Sequence, residues 1–96
     1  MYFRTLLFAY EKMKVLGYVR SRREFSDRWL GRGKTYVTDF FIKDRTEVIV
    51  PEETLEYFMR RLEITMKYLP KKQLAEIESI KKEVEQSVSV ARLLGR

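Results

Sequence analysis

Hydrophobic residues recur every three or four positions along most of the chain, which is the spacing of one face of an α-helix. In the first segment, residues 2–16, this stripe consists of Phe3, Leu6, Leu7, Tyr10 and Met13. The same pattern predicts four further helices, over residues 21–30, 34–43, 51–69 and 71–94. Only the β-branched run at residues 48–50 predicts an extended connection. The sequence therefore predicts an all-α fold.

Local residue types mark the ends of these helices. Gly17 suits the left-handed position that follows a helix. Ser21-Arg22-Arg23-Glu24 has the form of a capping box, in which the first and last side chains each accept a backbone N–H. Pro51 fits the first position of the fourth helix, and Pro70 separates that helix from the last one. The chain thus divides into a four-helix domain, residues 1–69, and a C-terminal helix, residues 70–96.

The net charge of +6 is confined to the front of the chain. Residues 1–45 carry eleven Lys or Arg and five Asp or Glu, whereas residues 46–96 carry nine of each. Clustered basic side chains neutralise phosphates and release counterions, which is the main sequence-independent source of affinity for nucleic acids. A solvated face is the ordinary alternative for a single basic run. Here, however, the run coincides with a motif.

Two short helices on either side of Gly31-Arg32-Gly33 describe a helix-turn-helix. Phe25 and Trp29 of the first helix are expected to pack against Val37 and Phe40 of the second. This brace would hold the helix at residues 34–43 with its polar side chains turned towards the major groove of DNA.

The order of these elements resembles the λ-repressor/Cro-like, or XRE-type, helix-turn-helix family. Residues 21–26 occupy the place of the family's Thr-Gln-x-x-Leu-Ala, and Val37 and Thr38 match its buried aliphatic and groove residue. From Ser26 to Gly31 the chain counts five residues, where the family usually has four. The resemblance implies a λ-repressor-like bundle of four helices followed by an added long helix. It also implies a sequence-specific transcriptional regulator of double-stranded DNA, acting as a repressor.

The same resemblance implies two sets of DNA contacts. Base edges would be read by Lys34, Thr35, Thr38 and Asp39. Phosphates would be bound by Arg22, Arg23, Arg28, Arg32, Gly33, Tyr36 and Lys43. Three alternatives stay open: the arginines can be solvated, Tyr36 can simply pack, and Asp39 can pair with Lys43 one helical turn later.

The last helix carries an apolar stripe that is suited to pairing with a second copy. Its members are Leu74, Ile77, Ile80, Val84, Val88, Ala91 and Leu94. A homodimer would suit two DNA half-sites, while packing onto the helix's own domain is the alternative. A protein-interaction module (an antitoxin or a helical adaptor that uses this helix) and a nonspecific DNA-binding protein are the competing functions.

Other classes of function find little support in the residues. The chain has no cysteine and no histidine, so the commonest metal ligands and the commonest general base are missing. Gly33-Lys34-Thr35 resembles the end of a P-loop, but Arg28 stands where that motif needs its first glycine. No apolar run approaches the length of a membrane span. We expect a cytoplasmic, nucleoid-associated protein without catalytic residues, cofactor or small-molecule substrate.

Overall fold

A computed structural model of the protein describes residues 3–42 and 49–93, with side chains described for residues 3–39 and 49–87. These residues form five helices and no β-strand, which confirms the predicted all-α fold. The helices are α1 (Phe3–Val15), α2 (an α-helical turn, Arg22–Glu24, continued by a π-helical turn, Phe25–Trp29), α3 (Tyr36–Ile42), α4 (Glu52–Met66) and α5 (Lys71–Leu93).

Helix α1 buries the predicted stripe and ends as predicted at Gly17. Phe3, Leu6, Tyr10 and Met13 are buried, and Gly17 has a φ of +88°. The Gly17 N–H donates to the Lys14 carbonyl at 3.1 Å, and the Tyr18 N–H donates to the Met13 carbonyl at 2.9 Å. These two bonds form a Schellman motif, which satisfies carbonyls that the end of a helix otherwise leaves without a partner.

Helix α2 begins at the predicted cap and then changes its winding. The Ser21 hydroxyl accepts the Glu24 N–H at 3.2 Å, so this half of the capping box is confirmed. Further along, the Leu30 N–H donates to the Phe25 carbonyl, five residues back, at 3.1 Å. That spacing defines a π turn, which takes one residue more than an α-helical turn.

An aromatic contact joins α2 to α1 and α4. The Phe25 ring lies between Tyr10 of α1, at 5.3 Å between centroids, and Phe58 of α4, at 5.6 Å. All three side chains are buried. Trp29 is also buried, with the Arg61 guanidinium 5.8 Å from its ring centroid. The expected packing of Phe25 and Trp29 against Phe40 lies outside the described side chains.

Helix α5 packs onto α1 and α4 of the same chain. Ile77, Ile80 and Val84 are almost completely buried in the core that also contains Phe3 and Phe58. Ion pairs add to this packing: Lys12 Nζ lies 3.0 Å from Glu83 Oε1, and Lys81 Nζ lies 3.3 Å from Glu63 Oε1. Buried residues of all five helices therefore belong to one core.

Because α5 packs onto its own chain, most of the described part of its apolar stripe is not available to a second copy. Ile77, Ile80 and Val84 are covered by their own chain, which is the alternative that the sequence left open, so we do not retain them as dimer contacts. Leu74 is half-buried. The side chains of Val88, Ala91 and Leu94 lie outside the described residues.

Tyr18 adds a contact between the end of α1 and the start of α5. Its hydroxyl donates to the Gln73 carbonyl at 3.4 Å. Burial, and secondly the nearby Glu76 carboxylate, raise the pKa of Tyr18 above its ordinary value. The hydroxyl therefore stays protonated, and remains a donor, throughout the neutral range.

The turn between α2 and α3 packs against α4 at Gly31. This glycine has a φ of +63°, in the left-handed region that side chains other than glycine enter at a cost. A Cβ atom placed on it would lie 2.9 Å from the Tyr57 ring. Gly31 is therefore favoured by its left-handed conformation, and a side chain there would also displace the Tyr57 ring.

We expect Gly31→Ala to lower the free energy of unfolding by about 2 kcal/mol, because the backbone strain and the contact with the ring act together. Gly33→Ala is the matched control, since nothing lies within 4 Å of a Cβ atom there and its φ is not positive. The control should change stability by no more than about 0.5 kcal/mol. Urea denaturation measures both. Equal losses for the two variants would contradict this account of the turn.

Candidate nucleic-acid interface

Helices α2 and α3 flank a turn of six residues, 30–35, where the sequence predicts a turn of three, 31–33. Helix α3 begins two residues later than predicted. The Thr35 carbonyl accepts the Asp39 N–H at 2.8 Å, which puts Thr35 at the N-cap position. Gly33, which was expected to be the N-cap and to bind a phosphate there, lies two residues earlier. Its carbonyl accepts the Tyr36 N–H at 3.1 Å.

The hydroxyl of Ser26 bridges α2 and α3. It donates to the Arg22 carbonyl at 2.8 Å and accepts the Val37 N–H at 3.1 Å. Both Ser26 and Val37 are completely buried. The Val37 N–H is one of the donors that the first turn of a helix leaves without an intrahelical partner. The serine of one helix therefore caps the next helix.

Arg32 and Tyr36 attach the turn and the start of α3 to the rest of the core. Arg32 Nε donates to the hydroxyl of the buried Thr54 at 2.7 Å, and the guanidinium lies 5.4 Å from the Tyr36 ring centroid. On its other side, Tyr36 contacts Phe3 with 6.0 Å between ring centroids. The Tyr36 hydroxyl oxygen is buried. We therefore leave Arg32 and Tyr36 out of the proposed phosphate contacts.

The residues predicted to read bases remain accessible around the start of α3. Lys34, Thr35 and Asp39 are exposed, and Thr38 is half-buried. Lys34 and Thr35 belong to the end of the turn and not to the body of the helix, which is a change from the prediction. The described part of α3 thus presents polar side chains outwards and buries Val37.

A basic cluster lies beside this face. Arg23 and Arg28 of α2 and Lys34 of the turn line one depression of about 220 Å³, together with the acidic side chains of Glu24 and Asp27. The three cations are exposed. Three of the predicted contacts are therefore brought together by the fold, although the two carboxylates reduce the local positive potential.

Arg22, another of the predicted phosphate ligands, does not line this depression. Arg22 is half-buried, and its carbonyl accepts the Ser26 hydroxyl. Lys43 lies outside the described residues.

Neither a metal cluster nor a membrane span accompanies this face in the described part of the chain. That part contains no group of three or more acidic, histidine or cysteine side chains able to hold a metal ion. None of its helices has both the length and the apolar character needed to cross a membrane.

The sequence did not predict the hydrogen bonds that fix α3. These are the two bonds of the Ser26 hydroxyl and the bond from Arg32 to Thr54. One signal was present for the first of them. Ser26 stands four residues after Arg22, within bonding distance along a helix, at a position where the helix-turn-helix pattern has a small buried residue. No signal in the sequence linked Arg32 to Thr54, because the two are 22 residues apart.

No family model, curated protein or solved structure matches the chain. The likeness to the λ-repressor pattern therefore depends on the residues quoted above.

We expect Ser26→Ala to lower the free energy of unfolding by about 1–3 kcal/mol, because it leaves the buried Val37 N–H without an acceptor. Ser79→Ala, at an exposed position on α5, should change it by less than about 0.5 kcal/mol. Hydrogen exchange offers a second measurement, since the Val37 amide should lose protection in the first variant. If the two variants were equally stable, the bridge would not be what fixes α3.

Proposed function

We propose that this protein binds double-stranded DNA and recognises its sequence with the helix-turn-helix of α2 and α3, as a transcriptional regulator that acts by repression. One observation supports this most directly. The polar start of α3 is exposed and held rigidly, and it lies beside the cluster of Arg23, Arg28 and Lys34. A DNA-reading helix needs this combination of fixed orientation, free polar side chains and adjacent positive charge.

The side chains at the start of α3 have the chemistry to distinguish bases. The Lys34 ammonium can donate to guanine O6 and N7. The Thr35 hydroxyl can donate or accept, and its methyl group can contact the methyl group of thymine. The Asp39 carboxylate accepts only, which suits the N4 amino group of cytosine. Thr38 is half-buried, so it has a smaller part in the proposed contacts.

The basic cluster supplies affinity that does not depend on sequence. Arg23 and Arg28 project from α2, the helix that packs against α3. In a helix-turn-helix, phosphate contacts from this first helix set the register of the protein on the duplex. The confinement of the net positive charge to residues 1–45 strengthens the attraction on this part of the molecule. A nonspecific DNA-binding protein would use the same cluster, so only base preference separates the two functions.

We expect Arg28→Ala to weaken binding to every duplex and to reduce the slope of log affinity against log salt by about 0.9, which corresponds to one phosphate contact. Lys82→Ala removes the same charge from an exposed position on α5 beside Glu78 and Glu83. This control should keep the slope of the unchanged protein. Fluorescence anisotropy with a labelled duplex over a series of salt concentrations measures both. An unchanged slope for Arg28→Ala would remove this face from the interface.

Selection from a random-sequence duplex library tests base recognition. The unchanged protein should enrich a short site, and Asp39→Asn should change one position of it from cytosine to adenine, because an amide pairs with adenine N6 and N7. The expected discrimination at that position is about 1–3 kcal/mol. Glu56→Gln, at an exposed position of α4, is the control and should enrich the original site. Binding without any enrichment would favour nonspecific coating of DNA instead.

A further inference from the structure

A second surface, away from α2 and α3, remains without an assigned role. An apolar groove of about 580 Å³ runs between α1 and α5. Its α1 side exposes Phe8, Val15 and Leu16, at 50%, 84% and 41% of their full accessible surface. Its α5 side includes Ala75 and the edge of Ile80. Apolar side chains grouped in this way around a concave surface mark a site of interaction with another molecule.

The order of side chains along the α1 side of the groove suggests which molecule it receives. Phe8, Glu11, Lys12 and Val15 follow one another at helical spacing on the same face. The order is apolar, acidic, basic, apolar. Reversing the direction of the helix keeps the apolar ends in place and exchanges the two charges. This face is therefore complementary to an antiparallel copy of itself.

A two-fold axis that passes between residues 11 and 12 matches all four positions of this face. It places Phe8 opposite Val15 of the second copy and Glu11 opposite Lys12 of the second copy, with the reciprocal pairs on the other side of the axis. An interface of this isologous kind is the one that homodimers most commonly form.

The side chain of Lys12 is already held at this surface. Its ammonium lies 3.0 Å from Glu83 Oε1 and 5.2 Å from the centroid of the Phe8 ring. An ammonium has three donors, and the bond to Glu83 uses one of them. A carboxylate arriving from a second α1 would therefore meet a cation whose position is largely fixed.

We propose that a second copy of this chain covers the groove, with the two α1 helices antiparallel about an axis between Glu11 and Lys12. This interface differs from the α5 stripe that the sequence suggested, and it does not depend on the proposed DNA binding. The pairing buries Phe8, Val15 and Leu16, and it leaves Ile77, Ile80 and Val84 in the core of each copy.

Sedimentation equilibrium of the full chain over a wide concentration range tests the pairing. The unchanged protein should form a dimer, and Phe8→Ala should raise its dissociation constant at least about tenfold, because the substitution is made twice in each dimer. Tyr68→Ala removes a more exposed aromatic residue, 83% accessible, from outside the groove, and it should leave the constant unchanged. A monomer at every concentration, or equal effects of the two substitutions, would overturn the proposal and leave the groove to a different protein.

Charge reversal tests the direction of the two helices. Glu11→Lys alone should give a monomer, because the introduced ammonium then faces Lys12 of the other copy and both contacts across the axis repel. Lys12→Glu alone should also give a monomer, because two carboxylates then face each other in both contacts. A mixture of the two variants should form a heterodimer, since both contacts across the axis become attractive. Circular dichroism would verify that each variant is folded, which matters most for Lys12→Glu because it loses the pair with Glu83. If the mixed variants stayed monomeric while the unchanged protein dimerised, the antiparallel arrangement would be wrong.

Discussion

The proposed interface depends on the two hydrogen bonds of the buried Ser26 hydroxyl, which join α2 to α3. The described part of helix α3 has seven residues, Tyr36–Ile42, and an isolated helix of that length is not stable in water. Its place is set by what holds its first turn: the Ser26 hydroxyl on the Val37 N–H, the Phe3 ring against Tyr36, and the turn that Arg32 ties to Thr54. These contacts come from α2, α1 and α4, so the orientation of Lys34, Thr35 and Asp39 is a property of the whole core. A helix fixed by buried contacts in this way can present polar side chains outwards.

The π turn in α2 gives a physical reason for a departure that the sequence shows but does not explain. From Ser26 to Gly31 the chain has one residue more than the λ-repressor pattern. In the structure the bond from Leu30 to Phe25 spans five residues, and a π turn accommodates one residue more than an α-helical turn. The π turn therefore accounts for the length of the chain between Ser26 and Gly31, while the Ser26 hydroxyl still accepts the Val37 N–H.

Much of the fold could be predicted because its boundaries have local causes. Gly17, Ser21, Pro51 and Pro70 each act on neighbouring backbone groups, and the structure ends or begins a helix within two residues of each of them. The start of α3 was harder to place. Its first N–H groups bond the Gly33 carbonyl and the distant Ser26 hydroxyl; the carbonyl has no characteristic residue pattern, and the serine has only its helical spacing from Arg22. The partner of α5 was equally hard to place, because a hydrophobic period shows that a helix buries one face but not what covers it. Ile77, Ile80 and Val84 fit a dimer seam and an intramolecular core equally well on sequence alone.

The packing of α5 leaves part of α1 uncovered along the groove between the two helices. Helix α1 contacts α2 through Tyr10 and α3 through Phe3, and it meets α5 through the pair of Lys12 with Glu83. A helix covered on two sides needs few apolar residues on its remaining surface, yet Phe8, Val15 and Leu16 stay exposed there. Their exposure is unfavourable for an isolated chain, since burial of apolar surface lowers the free energy by about 25 cal/mol for each Å² removed from water. The proposed pairing would remove this surface from water. It would use α1, whereas the proposed binding of DNA would use Arg23, Arg28 and the start of α3, so the two proposals assign different residues to the two contacts.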